Sequence, residues 1–334
     1  MAHAARFVAK WLAIPVALTM ALMSHAAAII GGESAPLQTY PFMVSLIEHA
    51  APVGQESEFH FCGGTLIAPQ WVLTAANCVY FRLRQQTPEE IDLYLGSNDF
   101  ANGDRIRPAQ FFVHPQYDRV RGENDIALIR LPRPPRADLA VASTPLKFST
   151  DPRLEDSSST RPVKAIGWGP MDYAGSASSP DLRAVELQLR WKVMACPFDE
   201  SALTARWTDV SKALRELRIS PETEGELFRR VAAAVPPLIP PHSLCTGGAV
   251  SALTQEMISR GSLNSRGMAR PGPCTTDAGG PLIGTNPDGS AVQLGIVSFP
   301  FGYEGQHCDS VAYPPYYVSV GAYADWIAAV VSDH

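Results

Sequence analysis

The chain has 334 residues, with 27 Lys+Arg against 33 Asp+Glu and a formal net charge of −6. It is 46% hydrophobic and 18% charged, which excludes a disordered chain, and its 25 Gly and 29 Pro suit short strands and turns better than a helical bundle. The acidic balance and the absence of any basic tract longer than two residues argue against a nucleic-acid partner.

Residues 1–28 read as a leader. Arg6 and Lys10 give a positive start, residues 11–23 form an apolar run, and Ser24 to Ala28 supply the small residues of a cleavage site after Ala28. The run is too short to span a membrane, so no membrane anchor is expected. The protein is expected to be secreted, either extracellular or, in a bacterium, periplasmic. Arg6 and Lys10 are the only charged residues lost with the leader, so the net charge moves from −6 to −8. In an exported chain six cysteines (Cys62, Cys78, Cys196, Cys245, Cys274 and Cys308) point to disulfides, although their count does not choose a pairing. No C-x-x-C pair and no metal, nucleotide or flavin motif is present, so no cofactor or metal site is expected.

Strand-like runs follow at 40–47, 59–67, 71–75, 91–96 and 125–131, and Pro132, Pro134 and Pro135 stop the last of them. Residues 133–160 are rich in Pro, Asp and Ser and read as a linker. Strands resume at 163–167, 184–191, 291–299 and 316–320, and residues 323–331 are apolar at helical spacing. One segment breaks the pattern. Leu203, Trp207, Val210, Leu214 and Leu217 mark one helix face, and Leu227, Val231 and Val235 mark a second after Ser220-Pro221-Glu222. A helical hairpin is therefore expected at 197–244, either packed on the β body or offered to a partner.

Five separated motifs then fit one pattern: Ile29-Ile30-Gly31-Gly32, Cys62-Gly63-Gly64-Thr65-Leu66-Ile67, Leu73-Thr74-Ala75-Ala76-Asn77-Cys78, Asn124-Asp125-Ile126-Ala127-Leu128 and Thr276-Asp277-Ala278-Gly279-Gly280-Pro281. Gly167-Trp168-Gly169 and Gly295-Ile296-Val297-Ser298 extend it. In this order the motifs resemble the chymotrypsin/trypsin-like serine proteases from Ile29 to the C-terminus. The resemblance implies an all-β fold of two packed six-stranded antiparallel barrels, the first at 29–132, a linker at 133–160 and the second at 161–334, with a C-terminal helix. It also implies the disulfides Cys62–Cys78, Cys196–Cys245 and Cys274–Cys308.

In that family a Ser attacks the scissile carbonyl, a His takes its proton and a buried Asp orients the His. Asp125 fills the Asp position. Asn77 stands at the His position and Ala278 at the Ser position. An amide is no general base near neutral pH, and a methyl group forms no acyl-enzyme. Thr276 stands where the family has the oxyanion Gly, and a β-branched residue resists backbone conformations open to Gly. Gly272 occupies the position at which trypsin-like members hold an Asp for Lys or Arg. Pro300, after Ser298, and Pro315 replace pocket glycines, and Pro300 has no N–H to offer a bound peptide. The resemblance retains one element in full, the ion pair between the freed amino group of Ile29 and the Asp277 carboxylate. Leader cleavage directly before Ile29 would create that amino group.

The expected function is therefore binding of a protein or peptide partner by a protease body that does not cut. Two alternatives stand beside it: a rewired hydrolase using Thr275 or Thr276, and a structural scaffold.

Overall fold

The computed structural model describes residues 29, 32–81, 84–97, 103–119, 121–139, 145–150, 161–169, 179–190, 220, 242–247, 272–298 and 316–334. In the first half the strands are β1 (Glu33–Ser34), β2 (Met43–Glu48), β3 (His60–Ala68), β4 (Trp71–Thr74), β5 (Tyr80–Phe81), β6 (Arg84–Gln85), β7 (Ile91–Leu95), β8 (Asp104–Ile106), β9 (Gln110–Val113) and β10 (Ala127–Arg130). In the second they are β11 (Arg161–Gly167), β12 (Arg183–Arg190), β13 (Ser243–Gly247), β14 (Pro281–Thr285), β15 (Ala291–Ser298) and β16 (Tyr316–Ser319), followed by helix α1 (Ala324–Asp333).

The first sheet runs β8-β7-β2-β3-β4-β10-β9, all antiparallel. Its two edge strands, β8 and β9, are consecutive in the chain and separated only by residues 107–109. Pro108 lies in that gap and has no N–H to give to a ladder, so one bent strand is interrupted there and pairs with β7 before the bend and β10 after it. The chain itself thus closes a six-stranded barrel. The second sheet runs β12-β11-β14-β15-β16-β13, and β13 pairs back onto β12 with Leu189 opposite Thr246, closing a second barrel. The two-residue strand β1 adds to the outside of β12 and ties the N-terminal segment to the second barrel.

This is the two-barrel architecture expected from the resemblance. The strand-like runs of the sequence coincide with β2, β3, β4, β7, β10, β11, β12, β15 and β16 to within a few residues, and residues 323–331 form most of α1. The helical hairpin expected at 197–244 lies almost wholly outside the described residues, as does much of the linker.

Each barrel packs its own interior. Leu46, Leu66, Leu73, Leu93, Leu128 and Ile129 are fully or nearly fully buried in the first. Val163, Ala165, Leu187, Leu282, Leu294 and Tyr317 fill the second, and Ile29 is buried among them. At about 25 cal/mol per Å2 of apolar surface removed from water, these two interiors are the main source of stability. Cys62 and Cys78 are disulfide-bonded across the turn after β4, as expected. Cys245 and Cys274 are disulfide-bonded as well. Among the described residues no helix is long and apolar enough to cross a membrane.

Candidate functional site

The two barrels meet at the turn that carries Ala278. The Gly63 N–H of β3 donates to the Ala278 carbonyl at 2.7 Å, and the Gly279 N–H donates to the Val297 carbonyl of β15 at 2.8 Å. Gly279 has φ +80°, a left-handed conformation that a glycine adopts without cost. A Cβ there would lie 2.2 Å from Thr74 Oγ1, 2.3 Å from the Gly63 carbonyl oxygen and 3.1 Å from Cys78 Sγ. The residue must therefore be glycine, and its close packing sets the Ala278 turn directly against the Asn77-Cys78 turn.

Asn77 lies on a short 3-10 turn, Ala76–Val79, that follows β4. Asp125 lies just before β10 and is 1% exposed. Its neighbour Asn124 has φ +53°, a conformation that Asn tolerates better than most residues, and the Tyr323 hydroxyl donates to Asn124 Oδ1 at 2.9 Å. The kink turns Asp125 inward.

Three donors then converge on the Asp125 carboxylate. The Asn77 backbone N–H donates to Oδ1 at 2.7 Å, the Asn77 side-chain Nδ2 donates to Oδ2 at 2.7 Å, and the Ser298 hydroxyl donates to Oδ2 at 2.6 Å. Burial pushes the Asp125 carboxyl up to about 6, and the bonds from Ser298 and Asn77 pull against that rise. A carboxylate this enclosed acts through what it holds. Here it holds an amide, which donates a hydrogen bond but exchanges no proton at neutral pH.

The turn before Ala278 is fixed by a second buried carboxylate. Asp277 is 1% exposed and accepts the Cys274 N–H at 2.8 Å and the Gly169 N–H at 2.7 Å. Burial pushes its carboxyl up to about 6 against those two bonds. Gly167 and Gly169 make room for it, since a Cβ on either would fall within 2.1 Å of an Asp277 oxygen. Ile29 is fully buried in the second-barrel core. Gly272 is buried beside this segment of the chain, whereas Pro300 and Pro315 lie outside the described residues.

The sequence gives no sign of two of the roles seen here. Ser298, expected as a pocket position, is a ligand of Asp125. His60, which matches no family motif, is 4% exposed and lies between the two barrels. Its Nε2 is 3.0 Å from the Thr276 carbonyl and its Nδ1 is 2.7 Å from Ser45 Oγ. Burial lowers its pKa from 6.5 to about 4, so the ring is neutral. Nε2–H then donates to Thr276, and Nδ1 accepts the Ser45 hydroxyl. His60 thus braces the loop that carries Thr276.

His60 also makes stability depend on pH. Its folded pKa lies below its unfolded value, so its contribution is complete above pH 6.5 and is lost as the pH falls from 6.5 toward 4. The loss amounts to roughly 3 kcal/mol. Asp125 and Asp277 have raised pKa values and act in the opposite sense, so the effect is read by comparison. Urea unfolding of His60→Gln between pH 4 and 7 is expected to lack this rise of stability with pH, and a slope equal to the wild type's would place the effect elsewhere.

Two closed antiparallel barrels with an Asp-centred cluster on the seam define the class, a protein built on the serine-protease framework. The Trypsin family profile matches residues 29–196, half of the chain, and the chain belongs to that family. A trypsin of Phaedon cochleariae is 27% identical over 301 residues, which cover 90% of this chain and 86% of that protein. Serine protease 1 of Rattus norvegicus is 32% identical over 155 residues, 46% of this chain and 54% of the relative.

Proposed function

We propose that this protein is a secreted, non-catalytic member of the trypsin family that binds a protein or peptide without cutting it. The observation that carries this reading is the donor on Asp125: where the family places an imidazole, the carboxylate is paired with the Asn77 amide at 2.7 Å. The methyl group of Ala278 at the nucleophile position supports it, because neither half of the acyl-transfer pair has the chemistry required. Thr276 in place of the oxyanion glycine points the same way.

The leader at 1–28 and the Cys62–Cys78 disulfide support an oxidising, external location. Cleavage before Ile29 gives that buried residue an α-ammonium group able to pair with Asp277, so export itself would complete the cleft loops. The net charge of −8 after cleavage disfavours a polyanionic partner. The insertion at 197–244 is the proposed partner surface.

The test is to expose the purified secreted protein to a fluorophosphonate probe and a broad peptide library. No labelling and no cleavage above background are expected. Labelling that disappears on Thr275→Ala or Thr276→Ala would overturn the reading in favour of a rewired hydrolase.

A further inference from the structure

A pocket of about 500 Å3 opens on the flank of the first barrel, between β9, the β5–β6 hairpin and α1. That volume falls in the range of sites that hold small molecules or single side chains. Its walls are aromatic: Tyr80, Phe112, His114, Tyr117 and Trp326 line it, with exposed Gln85 beside them. Tyr80 and Tyr117 have ring centroids 5.4 Å apart at an interplanar angle of 60°, and His114 and Trp326 lie 5.2 Å apart at 64°. Both pairs meet steeply, so the rings stand as adjoining walls and not as a flat stack.

Among the described residues the lining includes no Lys, Arg, Asp or Glu. Burial holds His114 below its usual pKa, so its ring is neutral at pH 7. Burial is the main cause that raises the phenols of Tyr117 and Tyr323; the negative charge of Asp125 adds to both, and Glu123 adds to the latter. Arg119 acts on Tyr117 in the opposite sense, and Arg121 is within ion-pair distance of Asp118 and Glu123. Ring faces with no charged side chain in the described lining attract a cation in preference to an anion or a neutral group, and the chain's net charge of −6 acts in the same sense.

We propose that this pocket binds an alkylammonium cation, held by the ring faces of Tyr80, Tyr117 and Trp326. Such a group could be carried by a lysine side chain or by a free quaternary ammonium compound. The site is separate from the Asp125 cluster and does not depend on loss of catalysis, so this proposal and the preceding one fail separately.

Calorimetric titration of the whole protein tests it with choline and with 3,3-dimethyl-1-butanol, the neutral molecule of the same shape. Choline is expected to bind saturably and about tenfold more tightly than the alcohol. Trp326→Leu should weaken choline binding at least about fivefold while Trp326→Phe retains most of it, with thermal melting confirming that both variants fold. Tighter binding of N-acetyl-lysine N-methylamide than of choline assigns the cation to a polypeptide, and the reverse order assigns it to a free quaternary ammonium. Equal binding of choline and its neutral isostere, no saturation, or an unchanged affinity in Trp326→Leu would overturn the proposal.

Discussion

The combined variant Asn77→His, Thr276→Gly, Ala278→Ser is expected to react with a fluorophosphonate probe and to hydrolyse peptide substrates at least about 1,000-fold faster than the native protein, a gain of about 4 kcal/mol in the barrier. Ala278→Ser alone is expected to stay within about tenfold of background, because nucleophile and base act as a unit and either is idle without the other. The structure supplies the grounds for expecting success. Asp125 is already held by the Ser298 hydroxyl at 2.6 Å and by the Asn77 backbone N–H at 2.7 Å. Neither bond depends on the Asn77 side chain, so an imidazole at position 77 meets an oriented carboxylate. Gly279 keeps the left-handed turn that presents residue 278 beside the Asn77 turn. His60 already braces the Thr276 carbonyl, and a glycine there frees the backbone for the oxyanion donor. The probe is the cleaner readout, since it does not depend on which peptide the substrate pocket would accept. A folded triple variant that fails to label would show that the framework, and not these three side chains, silences the protein.

The motifs that mark the site were legible in the sequence because they carry chemistry at fixed spacing. Asn77, Asp125, Asp277 and Ala278 could each be placed by their neighbours, and the structure gathers them on one seam. Longer strands were legible from apolar runs. The missed ones have physical reasons: β8 and β9 are one strand interrupted at Pro108, β13 has a single aliphatic residue, Leu244, β1, β5 and β6 are only two residues long, and β14 opens on Pro281 directly after Gly279-Gly280, a sequence that reads as a turn. The roles of Ser298 and His60 were hidden for another reason. Ser298 reaches Asp125 across 173 residues and His60 reaches Thr276 across 216. A single polar residue in a strand reads the same whether it faces solvent or a partner barrel, and only the closure of the fold decides. Gly167 and Gly169 show the converse. Their motif was visible, but its physical purpose, space for the Asp277 carboxylate, appears only in three dimensions.

Asp277 leads to the second large effect. It is a fully buried carboxyl pushed up to about 6, held by two backbone N–H groups. With residues before Ile29 still attached, the Ile29 nitrogen is an uncharged peptide nitrogen, and ionising Asp277 costs stability as the pH rises from about 4 through 6. Protein that begins at Ile29 carries an α-ammonium there, which lowers the Asp277 pKa and reverses that cost. The two forms are therefore expected to approach one another only as the pH falls below about 4, where the carboxyl becomes protonated in both. They should diverge through pH 6 and differ most near pH 7, with the trimmed form ahead by roughly 3 kcal/mol, the scale on which breaking a buried ion pair is felt. The advantage is lost again as the pH rises through the folded pKa of the ammonium, which the pairing raises above its free value near 8. Asp277→Asn should abolish the pH-dependent divergence of the two forms between pH 4 and 7. Thermal melts of the trimmed protein and of a form extended by Ala27-Ala28, each with and without that substitution, decide the matter. Parallel curves at every pH would mean that Asp277 is satisfied by Cys274 and Gly169 alone and that Ile29 serves only as a core side chain.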